Sequence, residues 1–276
     1  MTDLSQWAQT GLRTRPRVTV PLPRLPRLSP LLGWLVPAAL LLTWYGITAA
    51  HLVAEQILPA PAMVADAFAT LVRDGELQKN LLISLSRVAY GFGAGALAGL
   101  LFGAGMGFSD RFAPLVRPSF MIVAQIPILA WLPFLMLLLG IGEALKIVLV
   151  AKAVFTPMTL STNAGIRSVP VRYLELARML QLSAWRTVCR VVLPSALPHF
   201  FSGLRYGLTH AWLALVMVEL LASYEGIGYL MVYSRQLFQL DVMVAIMLVI
   251  GAMGLAFDRL LALGEARLVR RYGSTS

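Results

Sequence analysis

Three ionisable side chains, Lys152, His210 and Glu219, fall inside long apolar stretches of this 276-residue chain. A charge at membrane depth is costly, so such a group either pairs with an opposite charge or faces a water-filled cavity or path. Lys152 and Glu219 could neutralise each other; otherwise at least one of the three lines a cavity. Pro127 and Pro133 flank Trp131 just after Gln125, and a proline removes an amide and clashes one turn back, so a helix must kink or open there. Broken helices often border a translocation path, which Gln125 could line, although packing alone also produces kinks. Other chemistry lacks its apparatus. None of the lysines, Lys79, Lys146 and Lys152, follows a glycine, so there is no Gly-x-x-x-x-Gly-Lys phosphate loop and this chain is not an ATPase. His51, His199 and His210 lack zinc-site spacing, and neither a Gly-x-Ser-x-Gly elbow nor a His-Glu-x-x-His helix occurs. The expectation is a chain with no catalytic residues, no metal and no cofactor of its own.

The elements that must position these groups follow from composition. Apolar residues make up 58% of the chain and charged ones 13%, so a soluble fold would need a core larger than this length can enclose. Stretches of about 20 apolar residues suffice to span a bilayer. They are Leu31 to Leu52, Ile83 to Phe108, Pro114 to Leu139, Leu145 to Thr162, Phe200 to Leu221 and Val242 to Leu263. The fold expected is an all-α integral membrane protein with six transmembrane helices. The first stretch exceeds the roughly 7 to 15 apolar residues of a signal peptide, so it reads as a retained span.

Basic residues orient the spans. Arg13, Arg15, Arg17, Arg24 and Arg27 precede the first; Arg111 and Arg117 follow the second; Arg167 to Arg190 follow the fourth; Arg259, Arg267, Arg270 and Arg271 close the chain. The alternate loops carry Glu55, Asp66, Asp74, Glu76, Glu225 and Asp241. The positive-inside rule then puts both termini and the segment 167–198 in the cytoplasm. Residues 1–30 read as an Arg/Pro-rich cytoplasmic segment, 31–264 as the membrane domain and 265–276 as a cytoplasmic tail. Topology and anionic headgroups of membrane lipid account for the net charge of +10, with no nucleic acid implied. Cys189 is the single cysteine, which excludes an intrachain disulfide. Gly91, Gly95, Gly99, Gly103 and Gly107 recur every fourth residue and share one helix face, where a neighbouring backbone can approach closely, as a static packing surface or a sliding one.

Between the fourth and fifth spans lies a polar, arginine-bearing insert that cannot sit in lipid. Leu176, Ala177 and Leu180, then Trp185, Val188 and Val192, recur with helical spacing, which predicts two short helices, each with one apolar face to dock on protein. This insert resembles the coupling loop of binding-protein-dependent ABC importer permeases, whose motif reads Glu-Ala-Ala, three residues, Gly, nine residues, Ile, any residue, Leu-Pro. Glu175, Ala177, Val191 and Leu193-Pro194 fall in register, while Leu176 replaces the middle alanine and Gln181 the glycine. A glycine there would supply a left-handed residue, where a non-glycine costs about 1–2 kcal/mol. The resemblance extends through Ile57-Leu-Pro59, Ser84-x-x-Arg87, Leu129-Ala-Trp131-Leu-Pro133, Gly140-Ile-Gly142-Glu143 and Gly226-Ile-Gly228-Tyr229.

The branch it resembles imports nitrate, sulfonates, taurine or bicarbonate. The resemblance implies a type I importer transmembrane domain in the bacterial inner membrane, paired with a second copy of itself. Two ATPase subunits that bind the ATP, and a periplasmic or lipid-anchored solute-binding protein, would complete the assembly. Glu175, Leu176, Ala177, Leu180, Gln181 and Pro194 would couple to the ATPase, through a helix starting near Glu175. Gln125, Trp131, Lys152, His210 and Glu219 are the candidates for the translocation path. A membrane-embedded enzyme would need a polar cluster within the spans, and a passive channel a repeated filter motif; neither explains the loop.

Overall fold

A computed structural model describes residues 34–272, with side chains described as far as Glu265. The segment 1–30, the arginines within it, and the side chains of Arg267, Arg270 and Arg271 lie outside the described residues. Every regular element among the described residues is a helix, in the order α1 (Leu35–Ala49), α2 (Pro61–Arg73), α3 (Glu76–Phe108), α4 (Phe112–Gln125), α5 (Ile128–Leu139), α6 (Glu143–Arg167), α7 (Val171–Met179), α8 (Ala184–Thr187), α9 (Leu193–Ala222), α10 (Ile227–Gln236) and α11 (Leu240–Tyr272).

The centre is the stack of α3, α6 and α9, and glycine makes it possible. A Cβ built on Gly91, Gly99 or Gly107 would lie 2.6 to 2.8 Å from the Cβ of Val150, Met158 or Ile166, and one on Gly103 would lie 2.6 Å from the Thr159 carbonyl. The predicted glycine face is therefore the surface on which α3 meets α6 at backbone contact. Across α6 the pattern repeats more briefly, with Gly203 of α9 against Ser161 and Gly165 of α6 against His199. Around this stack, α11 is fastened to α9 by the Trp212 indole, which donates to the Ile250 carbonyl at 3.0 Å and meets the Phe257 ring edge-on. The Trp44 indole of α1 donates to the Pro59 carbonyl at 3.0 Å.

Span boundaries depart from the sequence reading in several places. Among the described residues, four helices are long and apolar enough to cross a membrane singly, and α1, with 15 residues, is shorter than that. The second predicted span begins at Glu76 rather than Ile83, because the polar first turns belong to the same helix. The third is not one kinked helix but two, α4 and α5, set at 94°. Its break falls at Ile126–Pro127, where both residues have extended ψ, while Pro133 sits inside α5. Proline disfavours the helical conformation of the residue before it, so Ile126 ends α4. Finally, α11 continues past Leu263 to Tyr272, into the predicted tail.

Crowding distinguishes the glycines of α3 and yields a test. Gly93 has open space where Gly99 faces Met158 and the Phe155 carbonyl. Gly99→Leu should lower the folded yield in detergent severalfold, and Gly93→Leu should leave it near that of the unaltered protein, as read by fluorescence-detected size exclusion.

Candidate functional site

The arginine-rich insert is a helical hairpin. Pro170 starts α7 at Val171, four residues before Glu175, so the motif carboxylate lies mid-helix rather than at a helix start. At the other end Gln181 adopts φ +53. The Gln181 amide donates to the Arg178 carbonyl at 2.9 Å and the Leu182 amide to the Ala177 carbonyl at 3.0 Å, which satisfies the last carbonyls of α7 in a Schellman turn. The left-handed position expected of the motif glycine is thus present, occupied by glutamine. Ser183 then caps α8 by accepting from the Arg186 amide.

The second loop helix does not end before the membrane. α8 passes through a π-helical turn, Val188–Val192, directly into α9, giving one apolar helix from Ala184 to Ala222. Pro194 accordingly belongs to the first turn of α9 rather than to a loop, and it has no amide to offer the Arg190 carbonyl.

The apolar face of the hairpin divides in two. Ala177 is buried against its own chain, whereas Leu176, Leu180, Met179 and Trp185 are exposed, Met179 to 81% and Trp185 to 75%. Glu175 stands beside them, exposed and without an ion-pair partner among the described residues. A carboxylate amid exposed large apolar side chains marks an interaction surface.

At the opposite end of the bundle lies a buried ion network that the sequence reading did not assemble. The Arg87 and Glu219 side chains are exposed to only 3% and 0%. From α3, Arg87 donates to Glu219 of α9 at 2.7 Å, to Glu143 of α6 at 2.7 Å through Nε, and to the Glu225 carbonyl at 2.8 Å. Glu219 also accepts from the Ser84 hydroxyl and, at 3.0 Å, from the Gly228 amide. Lys146 donates to Glu143 at 2.9 Å, so two cations balance two anions. The loop after α9 is drawn in: the Ile227 amide donates to Ser84 and the Gly226 amide to Asn80. Gly226 sits at φ +108, and any Cβ there would overlap the Glu219 carboxylate.

This geometry decides between two readings left open by the sequence. Glu219 is not the counter-ion of Lys152; its partner is Arg87. Lys152 instead donates to the Ile126 carbonyl at 2.9 Å and lies 5.6 Å from the centroid of the Trp131 ring. The α4–α5 break therefore brings Trp131 and Lys152 together, with exposed Gln125 as the last residue of α4. His210 stands apart on an exposed face of α9, its Nδ1 at 2.8 Å from the Tyr206 carbonyl. One turn earlier, Arg205 holds Asp258 of α11 at 2.7 and 3.0 Å. Arg87, Arg205 and Asp258 were legible by the rule that selected Lys152, since each is ionisable within an apolar span.

Removing one partner from a buried pair strands the other, which costs about 3–5 kcal/mol. Arg87→Met should therefore lower the thermal midpoint in detergent far more than Ser84→Ala, which removes one hydroxyl at about 1–2 kcal/mol. Equal midpoints for the two variants would contradict the network's assigned weight.

Residues 94–270 match the family described as "Binding-protein-dependent transport system inner membrane component". SsuC of Bacillus subtilis (strain 168), provisionally named an aliphatic sulfonates transport permease protein, is 35% identical over 238 residues, 86% of each chain. The taurine transport system permease protein TauC of Escherichia coli (strain K12) is 34% identical, over 85% of this chain and 86% of TauC. The nitrate import permease protein NrtB of Synechocystis sp. (strain ATCC 27184 / PCC 6803 / Kazusa) is 32% identical, over 77% of this chain and 80% of NrtB. Among solved structures, an inward-facing form of the MetNI methionine ABC transporter shares the fold with a TM-score of 0.57 at 18% identity, covering 68% of this chain and 92% of its own. With its helical membrane bundle and exposed loop hairpin, the chain belongs to the binding-protein-dependent transport system inner membrane components, as a permease subunit of an ABC importer rather than an enzyme.

Proposed function

We propose that this permease forms, with a second copy of itself in the bacterial inner membrane, the path for a small oxyanion delivered by a solute-binding protein. Aliphatic sulfonates or taurine rank first, by the names of SsuC and TauC, and nitrate or bicarbonate second, by that of NrtB for nitrate. The path runs through six spans, α1 and the bent pair α4–α5 each counting as one, surrounded by lipid and with both termini in the cytoplasm. ATP is bound and hydrolysed by the partner ATPase subunits. Gln125, Trp131, Lys152 and His210 border the path, and Glu219, enclosed with Arg87, braces its external end.

One observation carries the coupling: a solitary carboxylate, Glu175, amid Leu176, Met179, Leu180 and Trp185, all exposed on one hairpin. These side chains fill a cleft of the ATPase, Glu175 meets a basic residue there, and Ala177, Gln181 and Pro194 hold the hairpin's shape from within. Closure of the ATPase dimer then displaces the hairpin, and because α8 is continuous with α9 the displacement travels along a single rod.

Glu175→Arg should preserve insertion and abundance while reducing ATPase co-purification and transport at least tenfold, since charge reversal in a packed interface costs several kcal/mol. Normal transport at normal abundance would remove the assigned role. Gln181→Gly should raise the thermal midpoint modestly, by relief of about 1 kcal/mol of left-handed strain, with coupling intact. Reporter fusions at Ser183 and Ser276 should behave as cytoplasmic and those at Gly75 as external; an external Ser183 would exclude ATPase docking.

A further inference from the structure

Lys152 lies near the middle of α6, and its charge is uncompensated. Arg87, Lys146, Arg167 and Arg205 each have a carboxylate within 4.0 Å, whereas Lys152 has none among the described residues. Lys79 and Arg259, which also lack one, are exposed toward the ends of their spans. Lys152 is half-buried and held by neutral groups only, the Ile126 carbonyl at 2.9 Å and the Trp131 ring at 5.6 Å. That carbonyl is available because Pro127 ends α4 and α5 leaves at 94°, so no helical amide follows to take it. A neutral carbonyl and an aromatic face fix an ammonium in place without cancelling its charge, and two of its three N–H donors remain unassigned. Where a chain needs to neutralise an arginine inside its membrane bundle it supplies glutamates, as at Arg87; at Lys152 it does not.

We propose that Lys152 is the charge-selecting residue of the solute path, its ammonium presented at the α4–α5 break to a small oxyanion such as a sulfonate or nitrate. This rests on the reading of the chain as the path-forming subunit. In the low-dielectric middle of the membrane a positive charge replaces part of the hydration an anion loses, and it repels a cation by the same amount. The hold is moderate by construction, because the carbonyl competes for the ammonium, and a site along a path must release what it binds.

The test uses the whole importer, this chain with its ATPase and binding protein, in proteoliposomes, with ethanesulfonate, taurine and nitrate as probes. Lys152→Gln keeps a donor for the Ile126 carbonyl and removes the charge; Lys152→Arg keeps both. For the anion carried by the unaltered importer, Lys152→Gln should lower the maximal uptake rate about tenfold or more, with ATPase co-purification and binding-protein-stimulated ATP hydrolysis retained, while Lys152→Arg stays within about threefold. Zwitterionic taurine, if carried, should suffer less than ethanesulfonate. Unimpaired uptake by Lys152→Gln, or equal loss in Lys152→Gln and Lys152→Arg, overturns the charge role in favour of a purely structural contact. An unaltered importer that assembles but carries none of the three probes also overturns it. Failure of the unaltered chain to retain an ATPase would instead strike the path-forming reading itself, so the two failures are distinguishable.

Discussion

An arginine inside an apolar helical bundle must be neutralised, and the far end of this permease is arranged around meeting that requirement for Arg87. Glu143 reaches it from α6, Glu219 from α9, and the Glu225 carbonyl from the loop that follows. The pair contributes little net stability over an apolar equivalent, because the desolvation of two ions offsets most of their attraction. Its effect is on uniqueness: any other register of α3 against α6 and α9 would strand a charge. Gly226 and Gly228 carry the same constraint into the backbone, since a side chain at either would collide with Glu219 or its helix.

Glycine makes the network's geometry reachable. With Gly91, Gly95, Gly99, Gly103 and Gly107 facing α6, the two backbones lie close enough for Ser84 and Arg87 to arrive beside helices that a larger residue would hold away. Close packing of this kind substitutes for the hydrophobic effect, which does not operate between helices already in lipid. The result is a stiff three-helix unit whose ends differ in kind. One end is internally satisfied by paired ions, and the other presents the exposed hairpin of α7 and α8.

Those ends are joined by a single element. The helix from Ala184 to Ala222 starts within the loop hairpin and ends three residues beyond Glu219, with a π-helical turn at Val188–Val192 and the prolines Pro194 and Pro198 interrupting its regular hydrogen bonding. One continuous helix thus connects the hairpin covalently to the residue, Glu219, that closes the buried network. The bent pair α4–α5 packs on the outside of this unit, through Leu132 and Trp131 of α5 against Leu145, Leu149 and Val218 and through Phe120 of α4 against Phe102 and Phe155, and Lys152 adds one carbonyl and one aromatic contact at the break.

Composition and spacing were enough to determine the class of this protein. Apolar runs of bilayer length, arginine asymmetry and the register of Glu175, Ala177 and Leu193-Pro194 are local or periodic signals, and each survives without knowing which helix lies beside which. The left-handed residue at Gln181 was legible for the same reason, since a Schellman turn is set by a few consecutive residues. Pairing across the bundle was decided only by tertiary structure. By charge Lys152 and Glu219 could neutralise each other, yet Glu219 meets Arg87, 132 positions earlier, because the glycine face of α3 determines which helix α6 and α9 receive. The third span bends at Pro127, before which Ile126 leaves the helical conformation, whereas Pro133 is accommodated within α5. Periodicity says which face of a helix is apolar; it carries no information about the neighbour that covers it, and the buried charges answer to the neighbour.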